Sequence, residues 1–385
     1  MASQSNLPRW TNNRWLPILI ALISLTCTVV GLELAARTVY APQTVYREPD
    51  PVLGWRLKPN FRAEIRKPEY RVEIAMNSAG WRDVEHTIEK PAHTYRILVL
   101  GDSYMEAYAV PFEHMLARQL QQHFNEIGDK NIEVLNFGVG GYGTLQETLA
   151  YEQYGVQYDP DLILLGFYAG NDLEDNSLAI SRELWGSDAP EVYGRPFLVE
   201  KSGKWTIQPP DYARAVKASE SPSLWENLAL VQMGTIFMRE QNAEPHLWDG
   251  AYLCNPSPEY AEAWQITGQA IGMLHDDADQ HGATLIVFYV PAREEVDLPH
   301  MQKLLDKSNA PQDFCFDPSI STRQLQMILD EQGIPFINLL PVFIDATRQG
   351  GAELFYQQDR HWNAAGHTLA VRIIFDALQE RGIGK

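Results

Sequence analysis

The hydrophobic pattern begins with an uncharged apolar run of 18 residues over positions 15–32. A helix of that length reaches about 27 Å, close to the roughly 30 Å hydrocarbon core of a membrane. The run is also longer than the ~7 to 15 apolar residues of a cleaved signal. We therefore predict a transmembrane signal anchor over residues 15–35. Cleavage remains the alternative, because Leu34-Ala35-Ala36 weakly matches a processing site.

The charges around this run predict the orientation of the chain. Arg9 and Arg14 precede it, whereas Glu33 and Arg37 follow it, and basic residues favour the cytoplasmic side of a membrane. We expect residues 1–14 to form a cytoplasmic tail and everything after the anchor to lie outside. The predicted location is a bacterial-type cytoplasmic membrane, crossed once, with the main domain on the periplasmic or extracellular side.

Beyond the anchor, short apolar runs rich in branched residues alternate with longer amphipathic stretches. The short runs are typical of buried strands and the long ones of helices that cover a sheet. The predicted strands are Ile97–Leu100, Ile132–Asn136, Leu162–Phe167, Thr284–Val290 and Pro335–Leu339. The predicted helices are Phe112–Phe124, Thr144–Tyr154, Tyr260–His281, Thr322–Gln332 and Ala364–Glu380.

This alternation predicts βαβ units with right-handed crossovers, and hence an α/β fold. We expect a three-layer sandwich with a mostly parallel sheet between two layers of helices, preceded by the transmembrane helix. In such a sheet the ligand site lies at the carboxyl ends of the strands, so catalytic residues are expected there.

Two segments depart from the alternation. Residues 48–94 carry alternating apolar positions near their middle, and we interpret them as a β-rich lead-in. Residues 176–258 are rich in polar residues and proline, with a predicted hairpin at Ser202-Gly203 and a helical stretch near 224–239. We interpret this second segment as an insertion beside the site. Two roles stay open for it, setting substrate choice or adding packing alone.

The charge balance excludes one class of partner. The chain has 31 basic and 50 acidic residues, which gives a formal net charge of -19. Such a charge repels phosphate backbones, so we expect no nucleic-acid partner. Hydrophobic residues make up 45% of the chain, enough to bury a substantial core.

The cysteines bear on redox state and metal binding. Cys27 lies in the apolar run, whereas Cys254 and Cys315 lie in the predicted exported part. Two thiols in an oxidising compartment can pair, but sequence does not give the distance between them, so a disulfide and two buried thiols remain alternatives. Neither cysteine has a histidine or second cysteine at ligand spacing, and we predict no metal site and no cofactor.

The first strand of the predicted sheet runs into Gly101-Asp102-Ser103. Glycine permits a tight backbone turn, and a serine that follows a strand can face solvent. The tripeptide alone is more typical of an ordinary turn than of catalysis. A catalytic role for Ser103 therefore depends on what the other strand ends carry.

The next two strand ends carry groups suited to an oxyanion. The second strand is followed by Gly138-Val139-Gly140-Gly141-Tyr142-Gly143, whose glycines let backbone amides approach a ligand closely. Its spacing is not that of a phosphate-binding loop. The third strand is followed by Gly170-Asn171-Asp172, a sequence common in turns. The carboxamide of Asn171 is a neutral donor suited to a developing oxyanion.

The last strand end carries a candidate base in Asp359-Arg360-His361-Trp362. Residues two apart in an extended chain point to the same side, so Asp359 and His361 are expected to meet. A carboxylate beside an imidazole fixes its tautomer and stabilises its charged form, which makes the histidine a general base. Together the four strand ends supply a nucleophile, two kinds of oxyanion donor and an oriented base, as acyl transfer requires.

These serine, glycine, asparagine and histidine blocks, in this order, resemble the SGNH hydrolase superfamily of GDSL-like esterases. The resemblance implies a catalytic domain over residues 95–385 with a flavodoxin-like sheet. By this likeness Ser103 is the nucleophile, His361 the base and Asp359 its partner. The implied oxyanion hole consists of the Ser103 and Gly141 amides and the Asn171 side chain.

One spacing differs from the superfamily pattern, which usually separates its aspartate and histidine by two residues. Here only Arg360 lies between them, and Asp-x-His-Trp is similar to alginate-type O-acetyltransferases, which act on exported polysaccharides. We expect a serine esterase that acts on O-acyl esters, with O-acetyl the favoured group, of an extracytoplasmic carbohydrate or small ester. The alternatives are a polysaccharide O-acetyltransferase with the same triad and a non-catalytic, membrane-anchored glycan-binding protein.

Other polar residues near these blocks are interpreted as structural. His367 lies early in the last predicted helix, where a polar residue is usually structural. Glu174 and Asp175 are expected in a solvated loop rather than a cation site. Trp362 has two readings that stay open, stacking on a sugar and packing against the last helix.

Overall fold

The computed structural model describes residues 15–39, 46–128, 131–220, 228–234, 250–307, 315–349 and 353–384. Contacts divide these residues into two units. The smaller unit contains the N-terminal helix together with residues 66–68 and 228–234, and the larger unit contains the rest.

The N-terminal helix α1 spans Trp15–Val39. Over Trp15–Thr38 it is long and apolar enough to cross a membrane, and none of its most apolar window is buried. A core helix of a soluble protein would be mostly buried, so that interpretation is excluded. A membrane anchor and a signal sequence both fit the helix.

The strands and the remaining helices follow the predicted alternation closely. The strands are β1 Arg47–Asp50, β2 Gly54–Leu57, β3 Arg62–Lys67, β4 Tyr70–Ala75, β5 Thr94–Gly101, β6 Asn131–Asn136, β7 Leu162–Phe167, β8 Phe197–Lys201, β9 Lys204–Gln208, β10 Thr284–Tyr289 and β11 Phe336–Asn338. The helices are α2 Ser103–Glu106, α3 Leu116–Ile127, α4 Thr144–Ala150, α5 Ala169–Asn176, α6 Leu178–Trp185, α7 Pro190–Tyr193, α8 Tyr212–Glu220, α9 Pro258–Gln280, α10 Arg293–Val296, α11 Leu298–Lys307, α12 Ile320–Gln332, α13 Leu340–Arg348 and α14 Ala364–Glu380.

The central sheet has five parallel strands in the order β6-β5-β7-β10-β11, which is the flavodoxin-like order. All five are strands predicted from the sequence, and the predicted α/β fold is confirmed. The positions from 97 to 100 are fully buried on both faces of the sheet. This burial explains why these strands appear as unbroken apolar runs instead of alternating patterns.

The strand order also fixes where the helices lie. The step from β5 to β6 runs in one direction across the sheet, and the later steps to β7, β10 and β11 run in the other. Right-handed crossovers therefore place α3 on one face and α4, α9 and α12 on the opposite face. Helix α14 packs against α3, whereas α4 and α9 pack together. The reversal occurs at β5, so the switch point of the sheet lies where Ser103 follows it.

The lead-in consists of two antiparallel hairpins, β1–β2 and β3–β4. Strand β4 alternates buried and exposed side chains, as its sequence predicts. The insertion contains the predicted hairpin, because β8 and β9 pair antiparallel across Ser202 and Gly203, both at positive φ. Of the predicted helix near 224–239, residues 229–234 are helical and the rest lies outside the described residues.

Cys254 and Cys315 form a disulfide, with their Cα atoms 5.5 Å apart. The backbone reinforces the crosslink, since the Cys254 N–H donates to the Cys315 carbonyl at 3.1 Å. The open question of pairing is therefore answered in favour of the bond. Cys27 is a free, exposed thiol on α1.

Candidate active site

The backbone at the end of β5 places Ser103 at the sheet edge. Gly101 has φ +154, and a Cβ there would lie 2.3 Å from the Met105 side chain, so only glycine fits. Asp102 accepts the Tyr104 N–H at 2.9 Å and caps helix α2, of which Ser103 is the first residue. A serine at this position keeps its own N–H outside the helical hydrogen-bond pattern.

The structure brings Ser103, His361 and Asp359 into one hydrogen-bonded chain. Ser103 Oγ lies 2.7 Å from His361 Nε2, although 258 positions separate the two residues. His361 Nδ1 lies 2.7 Å from Asp359 Oδ1. With Nδ1 donating to the carboxylate, Nε2 is the acceptor that faces the serine hydroxyl, which is the tautomer a general base needs.

The conformation that joins Asp359 to His361 is not the extended one expected from the sequence. Arg360 between them has φ +74, in the left-handed region, so the prediction of an extended chain is wrong although the two side chains do meet. The unusual backbone has specific support. The Arg360 guanidinium donates to the buried carboxylate of Glu294 at 2.6 Å, and the carboxylate of Glu69 accepts three consecutive N–H groups of residues 357–359 at 2.6 to 2.8 Å.

Two phenols of tyrosine surround the Asp359 carboxylate. The Tyr70 hydroxyl donates to Oδ2 at 2.6 Å, on the oxygen that His361 does not use. The Tyr108 hydroxyl lies farther away, 3.4 Å from Oδ1 and 3.3 Å from His361 Nδ1. Tyr70 belongs to the lead-in hairpin, so this segment completes the surroundings of the candidate base.

The electrostatics of the site favour a basic His361. Burial lowers the pKa of His361, but the hydrogen bond and negative charge of Asp359 outweigh this effect and hold the pKa above its usual 6.5. The rings of Tyr104 and Tyr108 pack on the imidazole with centroids 4.9 and 5.1 Å away. These contacts leave 24% of the imidazole side chain exposed, on a partly open site.

The glycine-rich turn lies directly beside the serine. A Cβ built on Gly140 would stand 3.5 Å from Ser103 Cβ and 2.9 Å from a Glu106 carboxylate oxygen. The Gly140 N–H donates to that Glu106 oxygen at 2.6 Å. Gly141 has φ +75, and within the described part of the chain its N–H donates to no group. Of the two neighbouring amides, the Gly141 amide is thus the one available to a ligand.

Asn171 lies in the first turn of α5, where the sequence suggested a turn. Its carboxamide nitrogen donates to Asp175 Oδ2 at 3.1 Å and, more weakly, to the Tyr142 carbonyl at 3.4 Å. Its carboxamide oxygen is buried and accepts no hydrogen bond from the described residues. The side chain therefore lies next to the Gly141-Tyr142 turn, with one of its two amide hydrogens held firmly and the other held loosely.

Asp175 is largely covered, with 13% of its side chain exposed, and it is paired, in contrast to the predicted solvated loop. Arg195 Nη2 lies 2.9 Å from its Oδ1. Arg195 is itself 5% exposed, and it comes from the insertion. The solvated-loop prediction failed because a cation from a distant segment covers this acidic sequence.

Three buried carboxyl groups, those of Asp102, Glu147 and Asp172, interact electrostatically with Asp175. Burial raises the pKa of Asp102 to about 7, and burial together with neighbouring carboxylates raises the pKa of Glu147 and Asp172 well above their usual range. Burial thus favours the neutral form of each of these carboxyl groups. Among the described residues, no group of three or more His, Cys, Asp or Glu side chains is arranged to hold a metal ion.

Two residues outside the candidate triad pack in the interior. His367 is 1% exposed, and burial lowers its pKa to about 3, so it stays neutral. Trp362 is fully buried, with its ring 5.1 Å from the Phe343 ring. The packing interpretation of Trp362 is thereby favoured over stacking on a sugar.

Sequence reasoning missed several side chains that touch the candidate site, among them Glu69, Tyr70, Glu106 and Arg195. Glu106 follows Ser103 by three residues, and its place in the same short helix is a local signal that points to the site. The other three come from the lead-in and the insertion. Their hydrogen-bond partners at the site lie 54 to 290 positions away in the sequence, so no spacing pattern reveals them.

Fold and site together define an α/β protein with serine, histidine and aspartate joined at the carboxyl edge of a flavodoxin-like sheet. Residues 254–385 match the model of a family described as "SGNH hydrolase-like domain, acetyltransferase AlgX". This match confirms the predicted resemblance to the SGNH superfamily. It covers about a third of the chain and includes Asp359 and His361, whereas Ser103 lies outside it.

Solved structures that align with this chain include the lipase/acylhydrolase from Enterococcus faecalis, at 12% identity, covering 74% of this chain and 96% of that one, with a TM-score of 0.39. The alignment with an acetylxylan esterase from Geobacillus stearothermophilus, at 12% identity, covers 74% of this chain and 93% of that one, with a TM-score of 0.38. A comparison with curated proteins gives no significant match.

Proposed function

We propose that this protein is a serine-dependent enzyme that cleaves O-acyl esters through an acyl-enzyme. The observation that carries the proposal is the continuous chain from Ser103 Oγ through the His361 imidazole to Asp359, with 2.7 Å at each hydrogen bond. This is the arrangement of nucleophile, base and orienting carboxylate that activates a serine hydroxyl. The SGNH hydrolase-like match is compatible with an ester-acting enzyme.

In the proposed mechanism, His361 Nε2 takes the proton as Ser103 Oγ attacks the ester carbonyl. The Ser103 and Gly141 N–H groups then donate to the oxyanion of the tetrahedral intermediate. Asn171 adds its second amide hydrogen by exchanging the long 3.4 Å bond to the Tyr142 carbonyl for the oxyanion. Each such donor typically contributes 100-fold to 1,000-fold to turnover. His361 returns the proton to the leaving alcohol, and an acyl group stays on Ser103.

The proposed substrate is an O-acetyl ester of a carbohydrate outside the cytoplasm, with water as the acceptor. Two observations support this location: the apolar helix α1, which is suited to membrane insertion, and the disulfide between Cys254 and Cys315, a bond that persists in oxidising compartments. We propose that α1 anchors the enzyme with residues 1–14 in the cytoplasm. The catalytic domain, residues 95–385 with the insertion at 176–258, would then face the periplasm or the exterior.

A second candidate function is transfer of the acetyl group to a hydroxyl of a polysaccharide. It is favoured by the description of the matching family, which names an acetyltransferase, and by the single residue between Asp359 and His361. Both functions share the first half-reaction and differ only in the acceptor that resolves the acyl-enzyme. The acceptor is therefore the quantity to measure.

Intact-mass analysis of the full-length protein in detergent, mixed with an aryl acetate, tests the proposal. We expect a rapid gain of one acetyl group on Ser103, absent from Ser103→Ala. Decay of the adduct at the same rate with and without acetyl-free oligosaccharide identifies an esterase, and decay only with oligosaccharide identifies a transferase. No adduct on the wild type, combined with ester turnover that is unchanged in Ser103→Ala, would contradict the mechanism and leave the glycan-binding alternative.

A further inference from the structure

Arg195 belongs to the insertion, and its buried guanidinium contacts Gly141 in the glycine-rich turn. We propose that Arg195 is a positioning residue that holds the two proposed oxyanion donors, Gly141 and Asn171, in the geometry the reaction needs. The inference rests on the proposed function. It assigns the insertion a role in turnover, which differs from both roles that the sequence left open, setting substrate choice and adding packing alone.

Arg195 contacts four protein groups, and one of them, the Glu191 carbonyl at 3.3 Å from Nε, lies within the insertion itself. The other three lie at the candidate site or beside it. Arg195 Nη1 donates to the Gly141 carbonyl at 3.0 Å and to Gln146 Oε1 at 2.6 Å. Its Nη2 pairs with Asp175 at 2.9 Å. The other oxygen of Asp175 accepts the Asn171 carboxamide at 3.1 Å. One guanidinium therefore links directly to the first donor and, through a single carboxylate, to the second.

Hydrogen bonds on either side restrict the backbone at Gly141. This residue has no side chain and a φ of +75, a backbone state that glycine enters and leaves easily. The Gly140 N–H, one peptide before the one that carries the Gly141 N–H, donates to Glu106. The peptide after Gly141 is held at its carbonyl by Arg195 and at the Tyr142 N–H, which donates to the Val139 carbonyl at 3.1 Å. The peptide that carries the Gly141 N–H therefore lies between two anchored peptides, which limits its rotation.

The orientation of the Asn171 carboxamide depends on its hydrogen bond to Asp175. Burial raises the pKa of Asp175, and the positive charge of Arg195 is the largest effect that opposes it. While Asp175 is ionised, both of its oxygens can only accept, so it binds the amide NH2 end of Asn171 and sets which way the carboxamide points. A protonated Asp175 could instead donate to the carboxamide oxygen, and the orientation of Asn171 would no longer be determined.

Arginine suits this position better than lysine does. A planar guanidinium can serve three acceptors at fixed angles, whereas the single ammonium of lysine cannot reproduce that fork. The Arg195 guanidinium also packs over the Trp55 ring at 5.0 Å. A side chain that is 5% exposed and already bound to four protein groups is not free to bind substrate. Its effect is therefore expected in kcat and not in KM.

The variants Arg195→Met and Arg195→Lys test this in the full-length protein with an aryl acetate. We expect kcat to fall on the order of 100-fold for Arg195→Met, since small misplacement of reacting groups costs that much. The fall should be smaller for Arg195→Lys, and KM should stay within about twofold. Arg214→Met is the matched control, because Arg214 comes from the same insertion, pairs with Asp188 at 3.1 Å and packs over the Tyr193 ring at 4.0 Å. It should leave kcat unchanged.

A double-mutant cycle with Asn171→Ala separates positioning from general packing. If Arg195 acts through the donors, Arg195→Lys costs clearly less in the Asn171→Ala background than in the wild type. Additive effects, a rise in KM at constant kcat, or kcat equal to that of the control would overturn the inference. Should Arg195→Met fail to fold, Arg195→Lys keeps the charge beside Asp175 and carries the test.

Labelling of Ser103 by a fluorophosphonate distinguishes failure of this inference from failure of the proposed function. When Ser103 attacks the probe, negative charge develops on a phosphonyl oxygen in the proposed oxyanion hole. The labelling rate should therefore fall in both Arg195 variants. Wild-type labelling with undiminished rates in both variants refutes the role of Arg195 alone. A wild type that is not labelled refutes the proposed function itself.

Discussion

The lead-in and the insertion both interrupt the regular alternation of strands and helices, yet their hydrogen-bonding side chains reach different halves of the candidate site. The lead-in supports the base: Tyr70 donates to Asp359, and Glu69 accepts the backbone amides that lead to it. The insertion contacts the glycine-rich turn, through the bond from Arg195 to Gly141. Segments that look like additions to the sheet thus complete the site that the sheet presents.

The two supports differ in chemistry in a way that suits their proposed tasks. The base requires a carboxylate that stays ionised and immobile, and the neutral phenol of Tyr70 stabilises that charge without removing it. The oxyanion hole requires donors with free hydrogens, so its support from Arg195 binds a carbonyl and a carboxylate and leaves the Gly141 N–H unoccupied.

The largest effect is expected on the base side, from Asp359→Asn. The amide preserves size but no longer fixes the tautomer of His361 or stabilises its charged form, so kcat should fall about 10⁴-fold. Asp188→Asn is the control, because Asp188 is an exposed carboxylate paired with Arg214. Steady-state kinetics with an aryl acetate make the comparison. A loss below tenfold for Asp359→Asn would show that His361 does not depend on this carboxylate.

On the oxyanion side, Gly141→Ala should lower kcat about 100-fold. A Cβ there has room, with its nearest neighbour 3.7 Å away, so the substitution acts through the strain of alanine at φ +75. Gly128→Ala is a matched control, since Gly128 has φ +76, no neighbour within 4 Å and no contact with the site. Both variants should lose about 1–2 kcal/mol of unfolding free energy. Equal kcat in the two would remove Gly141 from the mechanism.

Tyr70→Phe should lower kcat about tenfold, the low end of what a hydrogen bond to a charged group contributes. Tyr154→Phe offers a close control, because the Tyr154 hydroxyl donates to Asp50 at the same 2.6 Å but lies outside the triad. Thermal unfolding should report similar destabilisation for both variants. If kcat falls equally in both, the lead-in stabilises the fold and does not assist the base.

The smallest expected effect is a shift in pH dependence. His361 acts as a base only when neutral, and its pKa lies above 6.5. Therefore kcat/KM should rise with pH through an inflection above 6.5 and level off beyond it. In Asp359→Asn the raising contribution is lost while burial still lowers the pKa, so the inflection of the residual activity should move to lower pH. An inflection that stays in place would mean that another group controls the profile.

The sheet could be predicted from the sequence because each buried parallel strand is a continuous run of apolar residues, as at 97–100 and 162–167. Sequence reasoning singled out Ser103 and Gly141 as candidates because strand ends and tight turns are also local. The pairing of Asp359 with His361 was anticipated for an incorrect reason, since the backbone at Arg360 is left-handed and not extended. An ion pair to Glu294 and the carboxylate of Glu69 support that conformation, and neither partner is adjacent in the sequence.

The remaining parts of the site depend on contacts between distant positions. Asp175 stands in the acidic sequence Glu174-Asp175, which is typical of a solvated loop. Its burial depends on Arg195, 20 positions later and in a segment without periodicity. Tyr70 fits an alternating strand and gives no sign that its hydroxyl meets a residue 289 positions away. Long-range polar contacts of this kind are set by tertiary structure and leave no pattern in the sequence.

The central claim is that Ser103 is a nucleophile activated by His361. The most direct measurement is the second-order rate of fluorophosphonate labelling of the full-length protein, with the modified residue located by peptide mass analysis. The account predicts a single adduct on Ser103, loss of labelling in Ser103→Ala, and a strongly reduced rate in His361→Ala. A wild-type protein that is not labelled, or labelling that persists unchanged in Ser103→Ala, would contradict it.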